Sequence, residues 1–503
     1  MLGSHSNSFS PSILARLEDA AKNDGAPAVC KAEQECAQVP HLPACLPSRD
    51  DSVALIQHLP PELLMKVFIE CLPQAPESCS PSIAPLLLGQ ICRYWRAVAL
   101  ATSYIWSRIH VSLNFRGVKA QRSWVESWLK RSKESPLSIS IRWYRSPAGF
   151  HPVFNSVLRH VHRWEDVDIQ LPRVFFDSLA SDKPSLPTLR KLRIHVTSGS
   201  PLPNWFDVFS VAPKLRRVAL CTGSGAIQLP WKHLTHCTVS SNMTDCLAIM
   251  HKSPHLIVCA MEDCTSSSWS PTPLLEVLPV VSYISSLQII QTTRCIQATR
   301  CDCGEIFSSL TLPALRNLSI KFIGGTPWAH AEFMALHNRS FFLLERLALI
   351  SVTFLYDDLI SLLQALPSLI EIEIDSVHAI YSVDRIPIVD NNLLEFLTYN
   401  TISTNSAQLV ILPRLQVIKL WGRLHCNDNT LVNMIQSRWQ RPPPNLARLQ
   451  YVGLNCRRPW DAQEMSRLEK FQEERLNLLL EEVPLRWQDA LSTWPKPGHT
   501  VRK

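Results

Sequence analysis

Apolar residues recur along this chain with two different periods. From Leu59 the sequence reads LPPELLMKVFIEC, in which Leu63, Leu64, Val67, Phe68 and Cys71 fall on one stripe of a helix opened by Pro61. After a proline-rich spacer, residues 73–85, a second helical face follows in LLLGQICRYWRAVALATSYIWSRIHV, set by Leu87, Ile91, Tyr94, Trp95 and Val98. Each segment is too short to hold a helix by itself, so the two are expected to share a core. Farther along the pattern changes to a recurring phrase, L-x-x-L-x-L, often introduced by L-P-x. It stands as LPTLRKLRI (Leu186 to Ile194), LPALRNLSI (Leu312 to Ile320), LPSLIEIEI (Leu366 to Ile374) and LPRLQVIKL (Leu412 to Leu420). Looser copies are APKLRRVAL from Ala212, KHLTHCTV from Lys232, SPHLIVCAM from Ser253, SYISSLQI from Ser282, FLLERLAL from Phe342 and PNLARLQY from Pro444. WEDVDI, from Trp164, is the earliest and weakest.

The anchors Leu189, Leu215, Leu234, Leu256, Ile284, Leu315, Leu344 and Leu369 are 19 to 31 residues apart. That range surrounds the period of leucine-rich repeats, roughly 20–29 residues. The step from Leu369 to Leu415 is 46, so one unit there is hidden or replaced by an insertion. Between the phrases lie helical stretches such as DDLISLLQAL (Asp357 to Leu366) and NLLEFLTY (Asn392 to Tyr399). A strand-plus-helix unit cannot bury its own apolar face, so such units are expected to stack into a curved parallel array. The expected fold class is therefore α/β: a leucine-rich-repeat solenoid, an irregular horseshoe or arc, behind a small all-α module. A compact domain of βαβ units is the alternative, and no glycine-rich first turn supports it. The residue three beyond the last strand anchor is Asn242 in one unit and Cys264 in another, but Thr197, Gly223, Thr292, Ile323, Val352, Val377 and Arg423 elsewhere, so no continuous asparagine ladder is expected.

Composition refines this picture. The chain has 503 residues, 46 % hydrophobic and 18 % charged, enough apolar material for more than one unit or a repeat array. Thirty-seven prolines against 14 glycines suit many short, stiff connections. The opening MLGSHSNSFSPSILARLEDAA shows no basic-then-apolar leader, which sets the expectation of reduced thiols for the 16 cysteines and of a cytoplasmic or nuclear location. No apolar run approaches the roughly 18 residues that suggest a membrane span. The net charge of +7 is matched by residues 108–145, which hold nine Lys and Arg against Glu126 and Glu134. A nucleic-acid patch is one reading of that segment. The preferred reading is a solvated helix face, because Trp124, Val125, Trp128 and Leu129 lie at helical spacing between the charges and no RNP-like or zinc-finger pattern accompanies them.

The first module resembles an F-box. The residues that carry the resemblance are Leu59-Pro60-Pro61-Glu62-Leu63-Leu64 with Phe68, then Ile91-Cys92-Arg93-Tyr94-Trp95-Arg96-Ala97-Val98-Ala99, and finally Ile105-Trp106. In detail it is similar to the F-box-like proteins numerous in mushroom-forming fungi, in which repeats follow. The resemblance implies docking to the Skp-type adaptor of a cullin-RING (SCF-type) ubiquitin ligase. It places Leu59, Pro60, Leu63, Leu64, Phe68, Leu87, Ile91 and Trp95 in or directly beneath that contact. The spacer from Pro73 to Pro85 is longer and richer in proline than in compact F-boxes, a departure that bears on the geometry between the helices.

Alternation along the strands suggests a face for a protein substrate. With Leu192 and Ile194 inward, Lys191, Arg193 and His195 face out; later units present Arg217, then Glu371, Glu373 and Asp375, then Lys419 and Trp421. Arg193, Arg217, Glu371, Glu373 and Trp421 are the candidate substrate contacts, on a surface expected to run from basic to acidic with an exposed tryptophan beyond. No catalytic residue, metal site or cofactor is expected. Cys295, Cys301 and Cys303 lack zinc-site spacing, Gly223-Ser224-Gly225 is neither a nucleophile elbow nor a phosphate loop, and no cysteine has an activating pattern. The domain plan is a poorly ordered segment over 1–52, a helical module over 53–110, a basic helix and first repeat over 111–160, the solenoid over 161–460, and a capping helix with tail over 461–503. The expected function is that of a non-enzymatic substrate adaptor in a ubiquitin ligase, with a leucine-rich scaffold uncoupled from ubiquitination as the alternative.

Overall fold

Parallel strands alternating with helices make up most of the chain. A computed structural model describes residues 59–480 apart from 74–79, 114–116, 144–150, 183, 199–201, 204–205, 222–226, 265–278, 292–302, 376–388, 400–410, 423, 441 and 455–459. The segments 1–52 and 481–503, Arg116, Arg145, Cys295, Cys301 and the Gly223-Ser224-Gly225 triplet lie outside the described residues. The chain divides into two compact units, one ending at Leu215 and the other starting at Arg216.

The first unit opens with helices. Pro61 starts α1 (Pro61–Glu70), which buries Leu64 and Phe68. The second segment is not one continuous helix. It comprises α2 (Leu88–Ile91) and α3 (Arg93–Ala101), broken at Cys92, whose backbone is extended at φ −157°. The Cys92 Sγ accepts the Trp95 backbone N–H at 3.4 Å, so the cysteine that interrupts one helix caps the next. A 3-10 turn, Ser103–Trp106, buries Ile105 and Trp106. Four strands and three helices follow: β1 (Arg108–Leu113), α4 (Val118–Arg131), β2 (Leu137–Trp143), α5 (Pro152–Leu158), β3 (Trp164–Leu171), α6 (Arg173–Asp182) and β4 (Lys191–Val196). The strands pair in parallel and in chain order, as in Ile109↔Ile139, Ile141↔Ile169 and Ile169↔Ile194. Among the described residues the parallel strands thus begin at Arg108, and the described part of the basic segment 108–145 is strand, helix and strand rather than one helix face.

The second unit repeats the scheme. Its elements are β5 (Arg217–Cys221), β6 (His236–Ser240), α7 (Met243–Lys252), β7 (Val258–Glu262), β8 (Val280–Val281), β9 (Ser286–Gln291), α8 (Cys303–Ser308), β10 (Leu310–Thr311), β11 (Asn317–Pro327), α9 (His330–Ser340) and β12 (Arg346–Thr353). They continue with α10 (Tyr356–Ala365), β13 (Glu371–Asp375), α11 (Asn391–Leu397), β14 (Val417–Trp421), α12 (Asp428–Trp439), β15 (Tyr451–Leu454), α13 (Ala462–Glu473) and β16 (Asn477–Leu480). Within this unit the strand order is β5-β6-β7-β9-β11-β12-β13-β14-β15-β16, and β8 and β10 form a separate two-residue parallel pair. Successive helices pack on one another, α8 on α9, α11 on α12 and α12 on α13. The architecture is α/β and solenoid-like.

The phrase read in the sequence explains the core. Its first anchors, Leu189, Leu215, Leu234, Leu256, Ile284, Leu315, Leu344, Leu369 and Leu415, are all buried, as is Leu449 ahead of β15. Each stabilises the fold by about 1.5–3 kcal/mol relative to an exposed position, against the conformational entropy lost on ordering the chain. The strand part then alternates: β4 and β9 both run half-exposed, buried, half-exposed, buried. The capping helix expected at the start of 461–503 runs over Ala462–Glu473 and is followed by β16, which pairs with β15 as a further strand, with Leu478 buried and Leu479 exposed.

Candidate protein-interaction site

Two surfaces carry the residues singled out above. On the helical module, the short core forms where Phe68 of α1 meets Trp95 of α3, ring centroids 5.1 Å apart. The Tyr94 hydroxyl donates to the Leu59 carbonyl at 2.8 Å and ties the start of α1 to α3. The Trp106 Nε1–H donates to the Ala99 carbonyl at 2.8 Å, and the Trp106 ring meets Trp128 of α4 edge-on at 4.9 Å. The eight residues assigned to a contact therefore separate into two groups. Leu64 and Phe68 are fully buried, and Leu59 and Trp95 are half-buried. Pro60, Leu63, Leu87 and Ile91 are exposed.

Val67, which sequence reasoning put on the helical stripe but not in the contact, is exposed as well. Leu63 and Val67 are one turn apart on α1, and Leu87 and Ile91 one turn apart at α2; these four keep 42–53 % of their surface in solvent. The amphipathic stripe alone could not tell Leu63 from Leu64. Adjacent helical positions differ by about 100°, and the packing of α1 on α3 and on the Ser103–Trp106 turn decides which of them is covered.

The second surface is the half-exposed face of the strands. In the first unit the register sets Lys191 beside Asp166 and Arg193 beside Asp168. Lys191 Nζ lies 2.9 Å from Asp166. Burial pushes the Asp168 carboxyl up, opposed by the Arg193 and Arg142 guanidinium groups. His195 is held below its ordinary value by burial, and its Nδ1 lies 3.1 Å from Gln170 Nε2. The basic end expected from Arg193 is thus interleaved with carboxylates. Arg217 of β5 stands in register with His236 of β6, which burial, followed by the Arg217 charge, pushes down to about 4.

In the second unit Glu371 and Glu373 do lie outward on β13, but they are not a bare acidic strip. Lys419 of β14 reaches Glu371 at 2.5 Å and Glu373 at 3.7 Å, and Arg346 of β12 reaches Glu371 at 3.4 Å. Trp421, expected to be exposed, is 93 % covered, since only 7 % of its surface meets solvent. Its ring lies over Gly453 of β15, where an added Cβ would stand 2.7 Å from it, and its Nε1–H donates to Glu373 at 2.9 Å. Gly453 in the neighbouring strand creates the room, a relation between distant phrases that strand parity does not reveal.

Among the described residues, the cations of 108–145 have separate partners. Arg108 donates to the Pro73 carbonyl at 3.0 Å, Arg122 pairs with Glu126 one turn on at 2.8 Å, and the Arg131 guanidinium lies 4.5 Å from the Trp106 ring centroid. Among the described residues, no group of three or more His, Cys, Asp and Glu is placed to hold a metal ion, and no helix is long and apolar enough to cross a membrane.

No family model and no curated protein matches the chain. The functional reading therefore rests on the two surfaces themselves, one apolar and helical, the other polar and laced with ion pairs.

Proposed function

We propose that the chain is the substrate-recognition subunit of a cullin-RING ubiquitin ligase, with its N-terminal helices docking onto a Skp-type adaptor and its leucine-rich strand array holding a protein substrate. The observation that carries this reading is the pairing of a small closed core with an uncovered apolar rim. Leu64 and Phe68 of α1 are buried against the half-buried Trp95 of α3, while Leu63 and Val67 of α1 and Leu87 and Ile91 at α2 stand exposed. Exposed apolar positions grouped on two short helices lose water favourably when another polypeptide covers them. The resemblance of Leu59 to Trp106 to an F-box is what supports a Skp-type adaptor as that polypeptide.

The array supplies the second half of the reading. Its outward strand positions include the charged residues Arg346, Glu371, Glu373 and Lys419 beside apolar ones such as Ala348 and Ile350, and a protein lying along them gains register from complementary charge. Holding a substrate near a charged conjugating enzyme raises its effective concentration, which requires no acid, base or nucleophile from this chain.

Co-purification with a Skp-type adaptor tests the proposal. Leu63→Asp and Ile91→Asp are expected to abolish capture while leaving the thermal unfolding of the chain intact, since both side chains are exposed. Capture of the adaptor by the doubly substituted protein at wild-type level would leave a leucine-rich scaffold uncoupled from ubiquitination.

A further inference from the structure

Four thiols meet inside the second unit. Cys237 of β6 and Cys259 of β7 are register partners on adjacent strands, and both are buried. Cys246, in the first half of α7, faces Cys264, which follows β7 by two residues, and their sulfurs are 3.5 Å apart. The contact joins a crossover helix to the end of the next strand across 18 positions of sequence.

The four are not chemically alike. Burial pushes the Cys237 thiol up to about 12 and the Cys259 thiol well above its ordinary value, so neither forms a thiolate readily. Cys264 is held below its ordinary value, chiefly by its contact with the Cys246 sulfur, in which either thiol can donate, with the Ser241 backbone N–H adding a donor; burial, Asp263 and Glu262 oppose this. The same contact, with burial, pushes the Cys246 thiol up. Cys264 also keeps 7 % of its surface in solvent, against 1 % for Cys246. Both sulfurs are largely covered, but Cys264 is the less covered of the two and Cys246 stands in contact behind it, the arrangement of an attacking and a resolving thiol.

We propose that Cys246 and Cys264 form a reversible disulfide when the protein meets a hydroperoxide. The Cys264 thiolate attacks the peroxide, an S–O bond forms, the O–O bond breaks, and the alkoxide or hydroxide that leaves takes up a proton. The Cys246 sulfur then attacks the Cys264 sulfenic acid; the S–S bond forms, the S–O bond breaks, and hydroxide leaves with the Cys246 proton as water. Two thiols lose two electrons, and the peroxide gains them as one alcohol, or water, and one further water. Closing the bond requires the sulfurs to approach by about 1.5 Å, given a disulfide length near 2.05 Å. The product ties α7 covalently to the segment after β7.

The test uses the full-length reduced protein, titrated with hydrogen peroxide, alkylated and digested without reductant. The expected product is a linked peptide pair joining Cys246 to Cys264, lighter by two hydrogens and restored by a dithiol. Cys246→Ser is expected to leave a Cys264 sulfenic acid that dimedone traps. The exposed Cys71 gauges the oxidant dose in the same sample. The proposal is overturned if Cys246 and Cys264 both remain alkylatable once Cys71 is fully oxidised, or if Cys264 links to Cys259 instead. The wild-type chain carries the decisive reading, so a variant that fails to fold does not blunt it.

Discussion

Between Leu59 and Trp106 the side chains left in solvent include Leu63, Val67, Leu87 and Ile91, whereas along β12 to β14 the outward positions include Arg346, Glu371, Glu373 and Lys419, joined by ion pairs. The helical module covers only part of its apolar surface. The strand array covers nearly all of its anchors and answers its outward charges internally. The difference indicates what each region offers another protein: the first an area whose burial is favourable in itself, the second a charged relief that must trade existing pairs for new ones.

The sharpest way to break this contrast is within one helix. Phe68→Ala removes a fully buried ring that meets Trp95, and a loss of about 3–5 kcal/mol is expected in denaturant unfolding. Leu63→Asp, five positions away and exposed, is expected to change stability by no more than about 0.5 kcal/mol. Equal losses from both would show that Leu63 is inside.

A smaller effect probes the covered end of the array. Gly453→Ala drives a methyl group into the Trp421 ring, and about 1–3 kcal/mol of destabilisation is expected, read as a lower unfolding midpoint. A neutral result would mean that Trp421 is free to swing outward, as strand parity alone suggests.

Acid titration gives a further step. His236 accepts its proton near pH 6.5 in the unfolded chain but only at about 4 in the fold, so between those values the unfolded chain binds more protons. Stability should therefore fall as the pH drops from 6.5 towards 4, with a slope below about 1.4 kcal/mol per pH unit because the half-exposed ring is partly screened. His236→Gln should flatten that slope in unfolding curves compared across the window. An unchanged slope would assign the acid sensitivity elsewhere.

The smallest effect concerns the outward pairs. Glu371→Gln weakens its contacts with Lys419 and Arg346 and is expected to cost less than about 1 kcal/mol. Reversal of both carboxylates, Glu371→Lys with Glu373→Lys, should abolish capture of a bound protein substrate. Unchanged capture would remove this face from the recognition surface.

Much of the array was legible because the phrase L-x-x-L-x-L carries its own physics: an anchor that must be buried, then a strand whose alternate residues follow it in. Leu189 with Leu192 and Ile194, and Leu369 with Ile372 and Ile374, are buried as that pattern requires. A first repeat was expected within 111–160, but the strands β1 and β2 were not located because no L-P-x phrase introduces them, although Ile109, Val111 and Leu113, and Leu137, Ile139 and Ile141, alternate plainly. Other features depend on residues distant in sequence. At the break at Cys92 a thiol accepts the Trp95 N–H, Trp421 is covered because β15 carries glycine at 453, and the chain beyond α13 becomes strand because β15 offers a parallel edge. In the helical module the stripe was visible, but its division into inside and outside was set by Trp95 and Tyr94 on another helix.

On the proposed reading, a second polypeptide covers the apolar positions outside the helical module. Hydrogen exchange of the full-length chain, with and without a purified Skp-type adaptor, tests it most directly. The account predicts slowed amide exchange over Pro61–Glu70 and Leu88–Ile91 on adding the adaptor, with β11 to β14 unchanged. Identical exchange in those helices with saturating adaptor would contradict it.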